Sequence, residues 1–252
     1  MFTSFLTFNI FAALEQFDIL YLISGSSLVT NSMVFLVFVL FIVVVCSLML
    51  GTQYFVIPTA WTIIFQLIYD FVLGLVYANA SVMAQVYFPL IATVFFLLVG
   101  LNLSGMLPFS FTVTSHLIVT FALASFLFIG IIVRGLIIHK LRFLGLFLPS
   151  GAPLLIVPLL VIVEFVSYIA RVFSLAIRLF ANMMSGHTLL KILAGFGWTL
   201  ATKASIWIFI AIFPIIIVFL VTILEVGIAV LQAYVFVVLI CIYFNDLFNV
   251  GH

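Results

Sequence analysis

The sequence predicts an all-α polytopic membrane protein, with about five membrane-crossing helices and one interfacial amphipathic helix. Three observations lead there. Of the 252 residues, 68% are hydrophobic and only 5% are charged, whereas soluble domains carry about 25% charged residues. Mean hydropathy is +1.60. Apolar runs of roughly 18 or more residues, the length that crosses a bilayer, recur along the chain. So few charges could not cover a soluble fold. A net charge of +1 leaves no basic footprint for nucleic acid. A single membrane domain over 1–252 is expected, with no internal repeat and no soluble domain.

Residues 1–30 are mixed, hold Glu15 and Asp18, and read as an interfacial lead-in. The uncharged run "MVFLVFVLFIVVVCSLML" predicts a spanning helix over 31–50, and "GTQYFVIPT" breaks it. Over 61–79 the apolar residues Ile63, Ile64, Leu67, Ile68, Phe71, Val72 and Leu75 follow helical spacing. Thr62, Gln66, Tyr69 and Asp70 fall on another side. That pattern suits a helix lying in the interface; a short spanning helix is the alternative. Asp70 is expected to cap the polar side of this helix.

Two further spanning helices are expected over 86–107 and 116–134, separated by the polar and Gly/Pro break "NLSGMLP". The segment "RGLIIHKLR" then brings Arg134, His139, Lys140 and Arg142 together. It is the one basic cluster, so it marks the inside face, matrix or cytoplasm. Two long runs follow, 153–195 and 205–246, with "GFGWTLATKAS" as the turn between them. Each exceeds the roughly 20 residues that cross a bilayer upright. They must tilt steeply, kink or project into water, as a hairpin.

Cys46 and Cys241 lie in separate apolar runs and read as small buried hydrophobes. All seven Lys and Arg lie at or after position 134, so the first third has no basic targeting pattern. An organellar protein of this kind is expected to be made inside the organelle.

The functional signal is polar. The first long run holds Glu164, Arg171, Arg178, Asn182, Ser185, His187 and Lys191; the second holds Glu225, Gln232 and Asp246. Ionisable groups at membrane depth are rare and by default mark ion or proton paths. Glu164, Arg171 and Arg178 are seven apart. They therefore share a helix face with about 20° of drift per heptad, and Asn182 continues it one turn on. Glu225 and Gln232 repeat the seven-residue interval on the second helix. Nine steps of about 100° turn His187 to the side roughly opposite Arg178. Along the axis, Glu164 lies roughly 21 Å on one side of Arg178 and His187 roughly 13 Å on the other. A proton could not pass between these groups without water or a second partner.

The paired segments "SLAIRLFANMMSGHTLLKIL" and "LEVGIAVLQAYVFVVLICIYFND" closely resemble subunit a of the F-type ATP synthases, in its mitochondrial form. "SGMLPFSFTVTSHL" is similar to the plant and algal version. The likeness is clear over 100–246 and weaker, though consistent in layout, before that. It implies a long tilted hairpin curving around a rotating ring of c subunits, preceded by three spanning helices and one interfacial helix. It implies the Fo sector of the mitochondrial inner membrane, with the N-terminus outside and the C-terminus on the matrix side. The implied partners are the c-ring, peripheral stalk subunit b, other Fo subunits and lipids.

By the same resemblance Arg178 is the essential arginine that faces the ring carboxylate. Two offset half-channels reach that carboxylate. Glu164 belongs to the inside one, His187 and Glu225 to the outside one, and Asn182 and Gln232 are polar positions near the arginine. The transported ion is the proton, and no cofactor is implied. The chain itself is expected to be non-catalytic and to bind no nucleotide: "GxxxxGK[ST]" is absent.

Blander readings stand beside these. Arg178 could be a structural cation paired with Glu164 or Glu225. Arg171 could snorkel or meet a peripheral partner. His187 and Glu225 could form a purely structural contact or hold a metal, although two ligands make a poor site. Lys191, Lys203, Asp246, His116 and His139 read as interfacial. A stand-alone proton channel or secondary transporter is the alternative function. Such folds usually show repeats and broken helices, which this sequence lacks. An intramembrane enzyme has neither an HExxH nor a Ser/His dyad to support it.

Overall fold

A computed structural model describes residues 15–21, 29–51, 60–107, 110–140, 156–202 and 206–248. Among the described residues six α-helices run in order: α1 (Asn31–Gly51), α2 (Ala60–Asn79), α3 (Phe88–Gly105), α4 (Leu117–His139), α5 (Val157–Ala201) and α6 (Ile206–Phe248). All six are long and apolar enough to cross a membrane. Short 3₁₀ turns at Glu15–Phe17, Ala84–Tyr87 and Val113–Ser115 precede α1, α3 and α4. This is the all-α polytopic class that composition predicts.

α5 and α6 carry the most extensive helix–helix interface, followed by α4 with α5 and α3 with α6. At about 1.5 Å per residue they extend roughly 67 and 64 Å, twice the roughly 30 Å hydrocarbon core. α2, α3 and α4 pack against this hairpin around Val72, Ile91, Phe95, Leu98, Tyr168, Leu179, Phe236 and Phe244.

Pro sits at the first turn of both α3 and α5, where its missing N–H costs nothing and its fixed φ suits a helix start. The side chain of Asn31 ties the start of α1 to the preceding segment, donating to Asp18 O and accepting from Leu20 N. α1 then crosses α3 where Val39 meets Gly100. A Cβ at Gly100 would lie 2.9 Å from Val39 Cγ1, so the glycine permits this crossing.

Several boundaries differ from the sequence reading. α5 runs through "GFGWTL" to Ala201 instead of ending at 195. Gly195 and Gly197 are buried, and Gly197 faces Pro214 and Ile215 of α6. These glycines serve close packing of the hairpin rather than a turn. α4 continues to His139, which keeps Arg134 within the helix. Arg134 Nε donates to Tyr87 Oη at 2.6 Å, and the Tyr87 ring stacks on Phe244 at 4.7 Å. One basic residue thereby joins α4, the turn before α3 and the end of α6.

"NLSGMLP" is not purely a break: Asn102 and Ser104 are buried inside α3. Cys241 is buried as expected, but Cys46 is only half-buried, because α1 packs along one side alone. Asp70 is exposed, and with Gln66 and Tyr69 it lines an open pocket between α1, α2 and α3. His116 stacks on Phe111 with ring centroids 5.3 Å apart, and burial holds its imidazole below the usual histidine pKa. Most of the lead-in, the "GTQYFVIPT" break after Gly51, Arg142, residues 153–155 and Lys203 lie outside the described residues.

Candidate functional site

The hairpin brings the polar set together in two groups on either side of Arg178. On the side of higher α5 numbering, His187 Nε2 lies 3.7 Å from Glu225 Oε1 across the α5–α6 interface. That is beyond hydrogen-bond length but within ion-pair reach. Glu225 is buried on α6, with only 4% of its side chain exposed. Neither of its oxygens, nor His187 Nε2, has a hydrogen-bond partner among the described residues.

Gly186 explains how this pair can meet. A Cβ on Gly186 would collide with Glu225 Oε1 and lie 2.8 Å from Glu225 Cδ. The glycine, placed in mid-helix at a cost of about 1 kcal/mol relative to alanine, leaves the space that the carboxylate occupies. Sequence reasoning passed over Gly186. The signal was available as an isolated glycine inside a helical run, which usually has a packing or functional reason.

Nearer Arg178, Asn182 Nδ2 donates to Gln232 Oε1 at 3.1 Å. Gln232 is 1% exposed and its Nε2 has no hydrogen-bond partner among the described residues. Asn102, fully buried on α3, donates through Nδ2 to the carbonyl of Ala229 at 3.2 Å. It anchors α3 to the stretch of α6 between Glu225 and Gln232. Asn102 was missed because it sits in a polar segment that reads as a helix end.

Arg178 itself is exposed on α5. Among the described residues it has neither a hydrogen-bond partner nor an ion-pair partner. The structural pairing with Glu164 or Glu225 is therefore not made here. Glu164 instead meets Arg171, Oε1 to Nη2 at 3.7 Å, both about one-third exposed at 37% and 38%. The seven-residue spacing does place these two side chains on one face. The Arg171 guanidinium also lies 6.0 Å from the Tyr243 ring centroid, within cation–π range. A pocket of about 290 Å³ joins Arg178, Ser174, Arg171, Ser167 and Tyr243.

Among the described residues no three His, Cys, Asp or Glu side chains converge. His187 and Glu225 thus stand as a pair without a third such ligand. Asp246 is half-buried near the end of α6.

The sequence that builds this arrangement is similar to known proteins over most of its length. The family profile of the ATP synthase A chain matches residues 31–245. ATP synthase subunit a of Chondrus crispus is 45% identical over 247 residues, covering 96% of this chain and 98% of its own. The Marchantia polymorpha subunit a is 48% identical over 220 residues, covering 83% and 87%. That of Brassica napus is 50% identical over 198 residues, covering 77% and 76%. A profile match through both arms of the hairpin, with relatives this similar over this much of the chain, settles the family: the chain belongs to the ATP synthase subunit a family.

Proposed function

We propose that this member of the family, a proton-translocating stator subunit of the Fo sector beside the c-ring, works through two offset half-channels that meet at Arg178. The observation that carries the reading is the contrast between Arg178 and Glu225. The arginine is on an open face of the hairpin, without a hydrogen-bond or ion-pair partner among the described residues. The acid is buried in the hairpin interior.

A guanidinium at membrane depth cannot shed its charge, so something negative must face it. The c-ring carboxylate suits that role. It must be protonated to travel through lipid and ionised to exchange its proton. A nearby fixed cation depresses a carboxyl pKa, so Arg178 favours release. It also repels hydronium, which blocks a direct leak between the half-channels. Each charge crossing the membrane is worth about 2.3 kcal/mol per 100 mV, and offset access turns that energy into rotation in one direction.

The outside half-channel runs through His187 and Glu225, with Asn182 and Gln232 near its inner end. Buried polar atoms require partners, so the unfilled capacity of His187, Glu225 and Gln232 supports a hydrated path. Glu164 belongs to the inside half-channel, toward the end of α4 that carries Arg134 and is followed by Lys140. The setting is the mitochondrial inner membrane with the C-terminus on the matrix side, α2 lies in the interface, and peripheral stalk subunit b is a neighbour. The ATP chemistry belongs to other chains of the complex.

The test is Arg178→Ala in the whole ATP synthase reconstituted in vesicles. Proton-driven ATP synthesis should be abolished with the complex still assembled on native gels, since the substitution removes a costly charge and no hydrogen bond or ion pair among the described residues. Passive proton flux should rise. Arg178→Lys should fail nearly as badly, because an ammonium at this depth can deprotonate and lacks the planar fork. Near-normal synthesis by the alanine variant would overturn the mechanism.

A further inference from the structure

The pocket that holds Arg178 also holds a residue to which neither motif nor spacing gave a role. Tyr243 of α6 is 4% exposed. Its hydroxyl is buried without a hydrogen-bond partner among the described residues. Its ring packs edge-on against Phe128 and Tyr168. A phenylalanine would serve that packing without the cost of burying an unpaired hydroxyl. The surroundings of Tyr243 are not those of a packing ring alone. It lines one pocket with Ser167, Arg171, Ser174 and Arg178, and Arg171 leads on to Glu164 at 3.7 Å. Arg178 and Arg171 are two turns apart on α5, roughly 10 Å, and the pocket bridges that interval.

We infer that the Tyr243 hydroxyl is a relay in the inside half-channel, passing protons between water beside Arg178 and water beside the Glu164–Arg171 pair. This rests on the two-half-channel reading above. A hydroxyl both donates and accepts. It takes a proton from one water on an oxygen lone pair as its own proton leaves to the next water, then rotates back. The tyrosine ends neutral and one proton has moved. Such a step suits a position between two guanidinium groups, where Coulomb repulsion disfavours a resident hydronium.

The experiment is Tyr243→Phe in the intact ATP synthase, reconstituted in vesicles. ATP-driven proton pumping is measured per assembled complex, in H₂O and in D₂O. The substitution keeps the ring and its contact with Arg171 and deletes only the O–H. The expected result is pumping reduced roughly three- to tenfold, below the roughly 10²–10⁴-fold of a positioned general acid or base, because water can partly replace the lost hydroxyl. The solvent isotope effect should be enlarged, because proton transfer becomes slower than rotation. A purely structural tyrosine would leave the isotope effect unchanged. Tyr243→His, which restores an exchangeable donor and acceptor, should recover part of the rate. Parental pumping and isotope effect in the Phe variant would overturn the relay. Arg178→Ala assayed alongside separates the two ideas: if it pumps normally, the half-channel reading fails, whatever Tyr243→Phe does.

Discussion

The carboxylate of Glu225 fills the space that a side chain at Gly186 would occupy, with Glu225 Cδ 2.8 Å from the Cβ position. Gly186 and His187 are adjacent on α5. One residue therefore makes room for the acid and the next meets it. Gly186→Ala should displace the carboxylate or push the helices apart. Overpacking of this kind costs about 1–3 kcal/mol. If that appears in the transition state for proton uptake, the rate falls roughly tenfold per 1.4 kcal/mol. Proton-driven ATP synthesis per assembled complex is the measurement. An unaltered rate would mean that the contact has no functional weight.

His187 and Glu225 should act as a unit. Glu225→Gln and His187→Ala are each expected to slow proton-driven synthesis, by up to about 10²-fold, the lower end of what general acid–base groups contribute. Assembly should persist. The double variant should be scarcely worse than the more severe single, because neighbours that share one task are not additive. Full additivity of the logarithms of the rates would show the two residues to be independent.

Asn182 and Gln232 offer a test of stability. Asn182→Leu leaves the Gln232 amide buried with its one bond to α5 gone, which should cost about 1–3 kcal/mol. The double change Asn182→Leu with Gln232→Leu should regain part of that, since replacing both partners by apolar groups can be nearly neutral. The temperature at which subunit a is lost from the purified complex reads this out. A double variant less stable than the single would show that Gln232 finds better partners than Asn182.

The site is poor in oxygen ligands. Around Glu225, Asn182 and Gln232 the described side chains supply few of the oxygens that a hard cation demands. ATP synthesis should therefore run on a proton gradient and voltage with Na⁺ removed. Strict Na⁺ dependence in reconstituted vesicles would contradict the proton assignment.

Composition and spacing by themselves determined that this chain is an all-α membrane protein with a long C-terminal hairpin, and which polar residues are anomalous in it. Those properties are local: a charge inside an apolar run is costly wherever the run packs. The seven-residue interval also put Glu164 and Arg171 on one face, since helix geometry alone fixes that relation. What neighbours each anomalous residue was decided by the tertiary structure. Asn182 and Gln232 are 50 residues apart, and Asn102 and Ala229 are 127 apart. Their meeting depends on the rotational register of helices packed side by side, where a one-residue shift turns a side chain by about 100°. Gly186, Asn102 and Tyr243 carry no charge to betray them. Glycines at 195 and 197 that read as a turn prove to be packing sites, because a glycine breaks a helix or admits a neighbour according to what lies opposite, and here Pro214 and Ile215 of α6 lie opposite Gly197.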